Sequence, residues 1–148
     1  MGFSEDIEKF AKKCGSNADK VVRKTIIDIS ASLVERSPVG DTSTWLSLGK
    51  PPEGYVGGHF RGNWQLGKNI MPMGEVSGED KNGGKTLNKI ISQVPDQAAT
   101  VGVYYIANNL PYGPALEDGH SKQAPLGIVG LTKLEFQGII KEAVEKLK

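Results

Sequence analysis

The feature that most constrains this chain is its first third, where apolar residues recur in steps of three and four. Phe3, Ile7, Phe10, Cys14, Ala18, Val21, Val22, Ile26, Ile29 and Leu33 fall on one stripe, the period of an amphipathic helix that covers a core along one face. Glu8, Lys12, Lys13, Asp19, Lys20, Lys24, Asp28 and Glu35 occupy the other face with alternating sign, the pattern of a solvated surface. The spacing predicts a helix over 4–36. Ser4 is placed to cap it, Glu5 and Asp6 suit its first turn, and Pro38 stops it by forcing Ser37 out of the helical region. Gly15-Ser16-Asn17 is its weak point.

Glycine placement carries the reading further. The chain has 19 glycines in 148 residues, rare in the first third, dense between Gly40 and Gly84, and rare again near the end. Helix, then loops and strands, then helix is the implied order. Residues 37–58, punctuated by Pro38, Gly40, Asp41, Pro51, Pro52 and Gly54, read as a loop or arm. Trp45, Leu46, Leu48 and Tyr55 lie in it, and so long a loop with apolar residues either folds over its own domain or packs on a neighbour. Residues 59–70 turn strand-like, with Phe60, Trp64, Leu66 and Ile70 inward. Residues 71–84 read as an exposed hairpin tip or mobile loop, and 86–93 as a short helix closed by Pro95. Thr100–Ala107 is the strongest strand signal. A final helix over 131–148 is expected to start at Thr132, with Thr132 and Glu135 as a capping box and a stripe of Leu131, Phe136, Ile139, Ile140, Ala143, Val144 and Leu147. The sum is one α+β domain over 1–148, a long N-terminal and a C-terminal helix packed on a small, mostly antiparallel sheet with long loops.

Composition narrows the function. The net charge of +1 gives no strong attraction to nucleic acid or anionic lipid. No apolar run approaches the roughly 20 residues of a membrane span, and the acidic N-terminus does not read as a secretory signal; a protein made in a cytoplasm and working in water is expected. Asp6 stands where a myristoylation signal wants Ser or Thr. One cysteine, Cys14, precludes an internal disulfide and sits on the apolar stripe as a small core residue. His59 and His120 would need further ligands to hold a metal, and no metal or cofactor is expected.

The most enzyme-like run is Glu117-Asp118-Gly119-His120-Ser121-Lys122. Nucleophilic catalysis needs converging side chains, and neighbours in a turn diverge. A polar turn, with Asp118 and Ser121 bonding the backbone and Gly119 at positive φ, is the plainer reading. Gly83-Gly84-Lys85-Thr86 imitates the end of a phosphate-binding loop, but Glu79 stands where its first glycine belongs. Arg61, Asn63, Trp64, Asn108, Asn109, Tyr112 and Glu117 are left over. Such a polar-aromatic set fits a subunit interface and equally fits a stabilised sheet end.

In order along the chain, several pieces resemble one family. Glu35-Arg36-Ser37-Pro38-Val39 ends the first helix, and His59-Phe60-Arg61-Gly62-Asn63-Trp64 follows. Then come Val103 to Tyr112 with Asn108, Asn109 and Pro111, then Leu116-Glu117-Asp118-Gly119-His120-Ser121, and then Gln123-Ala124-Pro125-Leu126-Gly127. Together they resemble the neck or tail-completion proteins of tailed bacteriophages, over most of the chain. Gly113 stands where that family usually has alanine, and Thr42–Gly57 is a long insert. The resemblance implies a non-enzymatic virion subunit that forms a ring, expected to be six-fold, at the head–tail junction or upper tail. Other head-completion and tail proteins would be its partners, DNA would pass without specific binding, and no membrane would be involved. Phe60, Arg61, Asn63, Trp64, Asn108, Asn109, Pro111, Tyr112, Leu116, Glu117, Gly119, His120, Ser121 and Pro125 would then hold the sheet and turns together or line subunit contacts. Trp45, Leu46, Leu48 and Tyr55 would reach neighbours, and Glu75–Lys85 would be ordered only by them. A tail-terminator ring is the nearest alternative. A small hydrolase using His120, Ser121 and Glu117 or Asp118, and a monomeric protein-binding module, are the more distant ones.

Overall fold

The structure, a computed structural model, describes residues 3–40, 57–119 and 121–146, with the side chains of the first helix from Asn17 onward. Trp45, Leu46, Leu48, Tyr55, His120 and Leu147, and the side chain of Cys14, lie outside the described residues. The class is α+β, with long terminal helices and a two-stranded antiparallel sheet.

Helix α1 spans Phe3–Arg36 without interruption. The weak point at Gly15-Ser16-Asn17 does not interrupt it, because one glycine costs a helix interior only about 1 kcal/mol. The end falls as expected, and Ser37 turns its hydroxyl back onto the Leu33 carbonyl at 2.6 Å. Strands β1 (Trp64–Lys68) and β2 (Tyr104–Asn108) pair from Trp64↔Asn108 to Lys68↔Tyr104. Trp64, Leu66, Tyr104 and Ile106 therefore share the inner face, and Gln65, Gly67, Tyr105 and Ala107 the outer one.

Both strands are shorter than their sequence signals. Residues 59–63 form a turn ending in a 3-10 turn at Arg61–Asn63, because Gly62 and Asn63 return their N–H groups to Gly58 and Phe60. Thr100 belongs to a second 3-10 turn, Ala98–Thr100, and Gly102 at φ +103 delays β2 to Tyr104. Ile70, expected inward, lies past the strand end and is 77% exposed.

The loop after β1 is mostly exposed, as expected, but is not a hairpin tip. It leads to helix α2 (Gly84–Gln93) by folding back across the outer face of the sheet. Gly67 makes the approach feasible: a Cβ there would lie 2.2 Å from the Ile70 carbonyl oxygen and 2.6 Å from the Pro72 ring. Further on, Asp80 donates its N–H to Gly58, so Glu75–Lys85 is held by its own chain.

After β2 come the short helix α3 (Gly113–Glu117) and α4 (Val129–Glu145). Helix α4 begins three residues before the expected capping box. Thr132 is inside it, donating its hydroxyl to the Ile128 carbonyl and sharing a 2.9 Å bond with Ser32, while Glu135 pairs with Arg36. Arg36 meets Glu135 and Lys24 lies near Glu142 and Lys146, so α1 and α4 run antiparallel. Of the expected α4 stripe, Ala143 is buried whereas Phe136 and Val144 are exposed; Leu134, outside that stripe, is 82% exposed.

The core joins all these pieces: Ile26, Leu33 and Val34 from α1, Phe60 and Trp64, Ile90 from α2, Val94, Ala98, Leu110, Ala124 and Ile128. Ile90 is wholly buried.

Candidate functional site

The described residues that resemble the family motif converge, and their hydrogen bonds tie the fold together. Phe60 is buried with its ring edge-on to Trp64, centroids 5.9 Å apart at 76°, and with Tyr112 at 5.9 Å on another side. Trp64 donates its indole N–H to the Ser37 hydroxyl at 2.7 Å. The Arg61 guanidinium bonds the Ser37 carbonyl at 2.8 Å and those of Glu35 and Lys81. Arg61 thus places positive charge at the C-terminus of α1, where the helix dipole favours it. Asn63 is fully buried. Its amide donates to the His59 and Val76 carbonyls at 2.8 and 3.1 Å, and its oxygen accepts the Val76 N–H at 2.8 Å. Four neighbouring side chains therefore tie the end of α1, the flap over the sheet and the turn around Tyr112 to one short turn.

The second strand supplies matching ties. Asn108 donates to the Phe60 carbonyl at 2.8 Å, and Asn109 donates to Pro72 and Gly74 carbonyls at 3.0 Å each. Pro111 is exposed and leads into α3, while Leu116 packs against the core.

Glu117 is the centre of a third cluster. One carboxylate oxygen accepts the N–H groups of Ile128 and Val129 at 2.9 and 2.8 Å, and the other accepts that of Gly130 at 2.9 Å. This side chain, eleven residues upstream of Ile128, caps α4 from outside the helix. Burial pushes its carboxyl upward, but the N–H groups of Gly130, Val129 and Ile128 outweigh that and hold it below its ordinary value. The local chain is closely wound to bring this about. A Cβ on Gly119, at φ +87, would lie 2.5 Å from the Pro125 carbonyl oxygen, and one on Gly127 would lie 2.6 Å from the Glu117 carbonyl oxygen. The expected turn is present in part, with Gly119 at positive φ and the Ser121 hydroxyl accepting the Gln123 N–H at 3.2 Å, while the Asp118 side chain makes no backbone bond among the described residues. Both carboxylate oxygens of Glu117 and the hydroxyl of Ser121 are engaged in holding this turn.

The Gly83-Gly84-Lys85-Thr86 run does build an anion-accepting helix start, and the anion is internal. Asp80 accepts the Gly83 N–H at 3.0 Å and both the N–H and hydroxyl of Thr86 at 2.8 Å. Burial raises the Asp80 carboxyl, the bonds from Thr86 and Gly83 and the nearby Lys85 lower it, and the balance lies below its ordinary value. A carboxylate stands where a phosphate would otherwise be drawn.

Beside a concavity of about 370 Å³ lined by Gly62, Val76, Asp80, Lys85 and Lys89, two others bear on the site. The larger, about 630 Å³, lies along α1 and α4 and is walled by charges of both signs, including the pairs Lys24–Asp28 and Arg36–Glu135. The smaller, about 320 Å³, runs beside β2 and is mostly apolar, between Phe60, Trp64, Ile106, Pro114, Ile128 and Val129. The sequence singles out its Phe60, Trp64, Asn108 and Glu117, whereas Pro114, Ile128 and Val129 carry no signal of their own until α3 and α4 are placed. Among the described residues no cluster of His, Cys, Asp or Glu is arranged to hold a metal ion, and no helix is long and apolar enough to cross a membrane. No family model, curated protein or solved structure matches the chain.

Proposed function

We propose that the chain is a structural subunit of a tailed-bacteriophage virion, forming a ring at the head–tail junction or upper tail through which DNA passes. The observation that carries this reading is a division of labour among its residues. The motif-like side chains Arg61, Asn63, Trp64, Asn108, Asn109 and Glu117 spend their hydrogen bonds on the chain's own backbone and loops. Large apolar side chains meanwhile face outward: Ile70, Met71, Met73, Leu126, Leu134 and Phe136. A rigid, polar-tied framework presenting apolar surface is what an assembling subunit needs. The net charge of +1 suits a channel that DNA must traverse without accumulating phosphate contacts.

Light scattering across a wide concentration range, with negative-stain imaging, tests this directly. Discrete rings with a central hole are the expected result. A single monomeric mass from micromolar to millimolar protein would remove the reading. Rings binding duplex DNA tightly at moderate salt would remove its channel part.

A further inference from the structure

We infer that Asn82–Gly83 is a deamidation site of the folded chain, with a rate set by the bond between Gly83 and Asp80 at the start of α2. Deamidation needs the backbone nitrogen of the next residue to reach the asparagine side-chain carbonyl. Glycine, with no Cβ, obstructs that approach least. Asn82 is the only asparagine in the sequence that precedes a glycine. It is exposed, and its amide makes no hydrogen bond among the described residues. Asn63, Asn69, Asn108 and Asn109 are each followed by a larger residue, and their side chains are all bonded.

The fold requires this glycine. Gly83 has φ +82, and a Cβ there would lie 2.3 Å from Cγ1 of the buried Val34. Any other residue would be strained in its backbone and would push α1 away from the start of α2. The reactive dipeptide is therefore a consequence of how α2 begins against α1.

Water alone balances the chemistry. The Gly83 nitrogen gives its proton to water or hydroxide and attacks Asn82 Cγ. A new N–Cγ bond forms and the Cγ–Nδ2 bond breaks. Ammonia leaves with that electron pair and takes up a proton, closing a succinimide ring. Water then adds at one of the two ring carbonyls, the ring C–N bond there breaks, and the nitrogen regains a proton. Opening at Cγ leaves aspartate. Opening at the main-chain carbon leaves isoaspartate, whose main chain runs through Cγ and is longer by one CH2.

Asp80 is the brake. Its carboxylate accepts the Gly83 N–H at 3.0 Å in a buried position, and a proton held in such a charge-assisted bond is not readily lost. Attack waits for this bond to open. The product then acts back on the same turn. An isoaspartyl link displaces Gly83 from Val34 and from Asp80, and with it the bonds from Asp80 to Thr86. Each conversion to isoaspartate weakens the start of α2 permanently.

The test ages the full chain in warm, mildly alkaline buffer. Peptide mass spectrometry reads the amide-to-acid change at each asparagine, and labelling by an isoaspartyl methyltransferase counts isoaspartate. Acid should accumulate at Asn82 ahead of every other described asparagine. Asp80→Ala should speed it at least about tenfold, because local opening governs the rate. Thr86→Ala, which removes one donor steadying the Asp80 carboxylate, should give a smaller acceleration and carries the test if Asp80→Ala does not fold. In urea beyond the unfolding transition, wild type and both variants should converge on one rate. The urea midpoint of wild type should fall with age, whereas that of Asn82→Ser should not. A folded wild type that keeps its Asn82 amide while the unfolded chain converts would overturn the inference. So would folded variants that deamidate at the wild-type rate, or an Asn82→Ser chain that loses stability as fast as wild type. None of these outcomes depends on the ring reading.

Discussion

Replacing Glu117 with alanine isolates the cap on which α4 depends. The substitution removes three charge-assisted bonds, to the N–H groups of Ile128, Val129 and Gly130, together with a negative charge at a helix N-terminus. Bonds to charged groups are worth about 1.5–3 kcal/mol each in mutational series, and the dipole interaction about 0.3–1 kcal/mol. Val129 and Gly130 are exposed, so water recovers much of their share, and a net loss of about 3 kcal/mol is expected. In a chain of this size that corresponds to roughly 6–12 °C in Tm. Thermal and urea unfolding followed by circular dichroism would measure it. Glu117→Gln, which keeps one acceptor oxygen but sets an NH2 group against helical N–H donors, should lose about 2 kcal/mol by the same bond energies. The pH dependence makes the argument sharper. A carboxyl held below its ordinary value of 4.5 contributes stability that is complete above that pH and is lost as pH falls through the depressed folded value. The gap between wild type and Glu117→Ala should therefore be full at neutral pH and shrink progressively below pH 4.5. A variant within about 0.5 kcal/mol of wild type at neutral pH, the range of an ordinary surface change, would refute the reasoning. So would a gap unchanged in strong acid.

Asp80→Ala strips the start of α2 of its internal anion and should cost about 2–3 kcal/mol in urea unfolding. Its deficit shrinks only below pH 3.8, because the folded carboxyl lies lower still. Ile90→Ala opens a cavity at a fully buried position between α2 and α1 and should cost about 3–4 kcal/mol, read as a lower urea midpoint with unchanged slope. Gly67→Val places atoms where the Ile70 carbonyl and Pro72 ring lie. It should destabilise by about 1–3 kcal/mol and raise amide exchange selectively across residues 69–76; uniform exchange behaviour would count against a flap held on the sheet.

How much of this was legible in the sequence depends on whether each determinant is local. Helix α1 was readable because its stripe repeats over nine turns' worth of consecutive residues, enough to override one glycine. Both strands were readable in type and wrong in extent, since Gly102 and the turn at His59–Asn63 are settled by backbone bonds that composition does not encode. The course of the flap was not legible because its glycines and charges look like an ordinary surface loop. Its anchors, Asn63, Gln65 and Asn109, are ordinary amides whose acceptors become neighbours only after β1 and β2 pair. The start of α4 was misplaced for a related reason. Thr132-Lys133-Leu134-Glu135 satisfies every local criterion for a cap, yet a carboxylate eleven residues upstream of Ile128 takes the role three residues earlier, leaving Thr132 to meet Ser32 and Glu135 to meet Arg36.

That displacement bears on the candidate site itself. A Leu-Glu-x-Gly-x-Ser run looks chemical because it gathers a carboxylate, a histidine and a serine, and geometry accounts for its Glu117, Gly119 and Ser121 by architecture. Glu117 must reach three helical N–H groups, Gly119 must pass against the Pro125 carbonyl, and Gly127 against that of Glu117. The Phe60-Arg61-Gly62-Asn63-Trp64 run obeys the same logic, each side chain closing a different junction. Surfaces formed by the flap, by β2 and by the start of α4 are consequently fixed relative to one another by buried polar ties. Such ties are costly to break singly, so a docking surface built across those three elements enters an assembly with its shape already set. On the proposed function, substitutions at the ties should impair folding, whereas polar substitutions at the exposed Ile70, Met73 or Leu126 should impair assembly alone, and the separation of those two phenotypes distinguishes a scaffold motif from an interface motif.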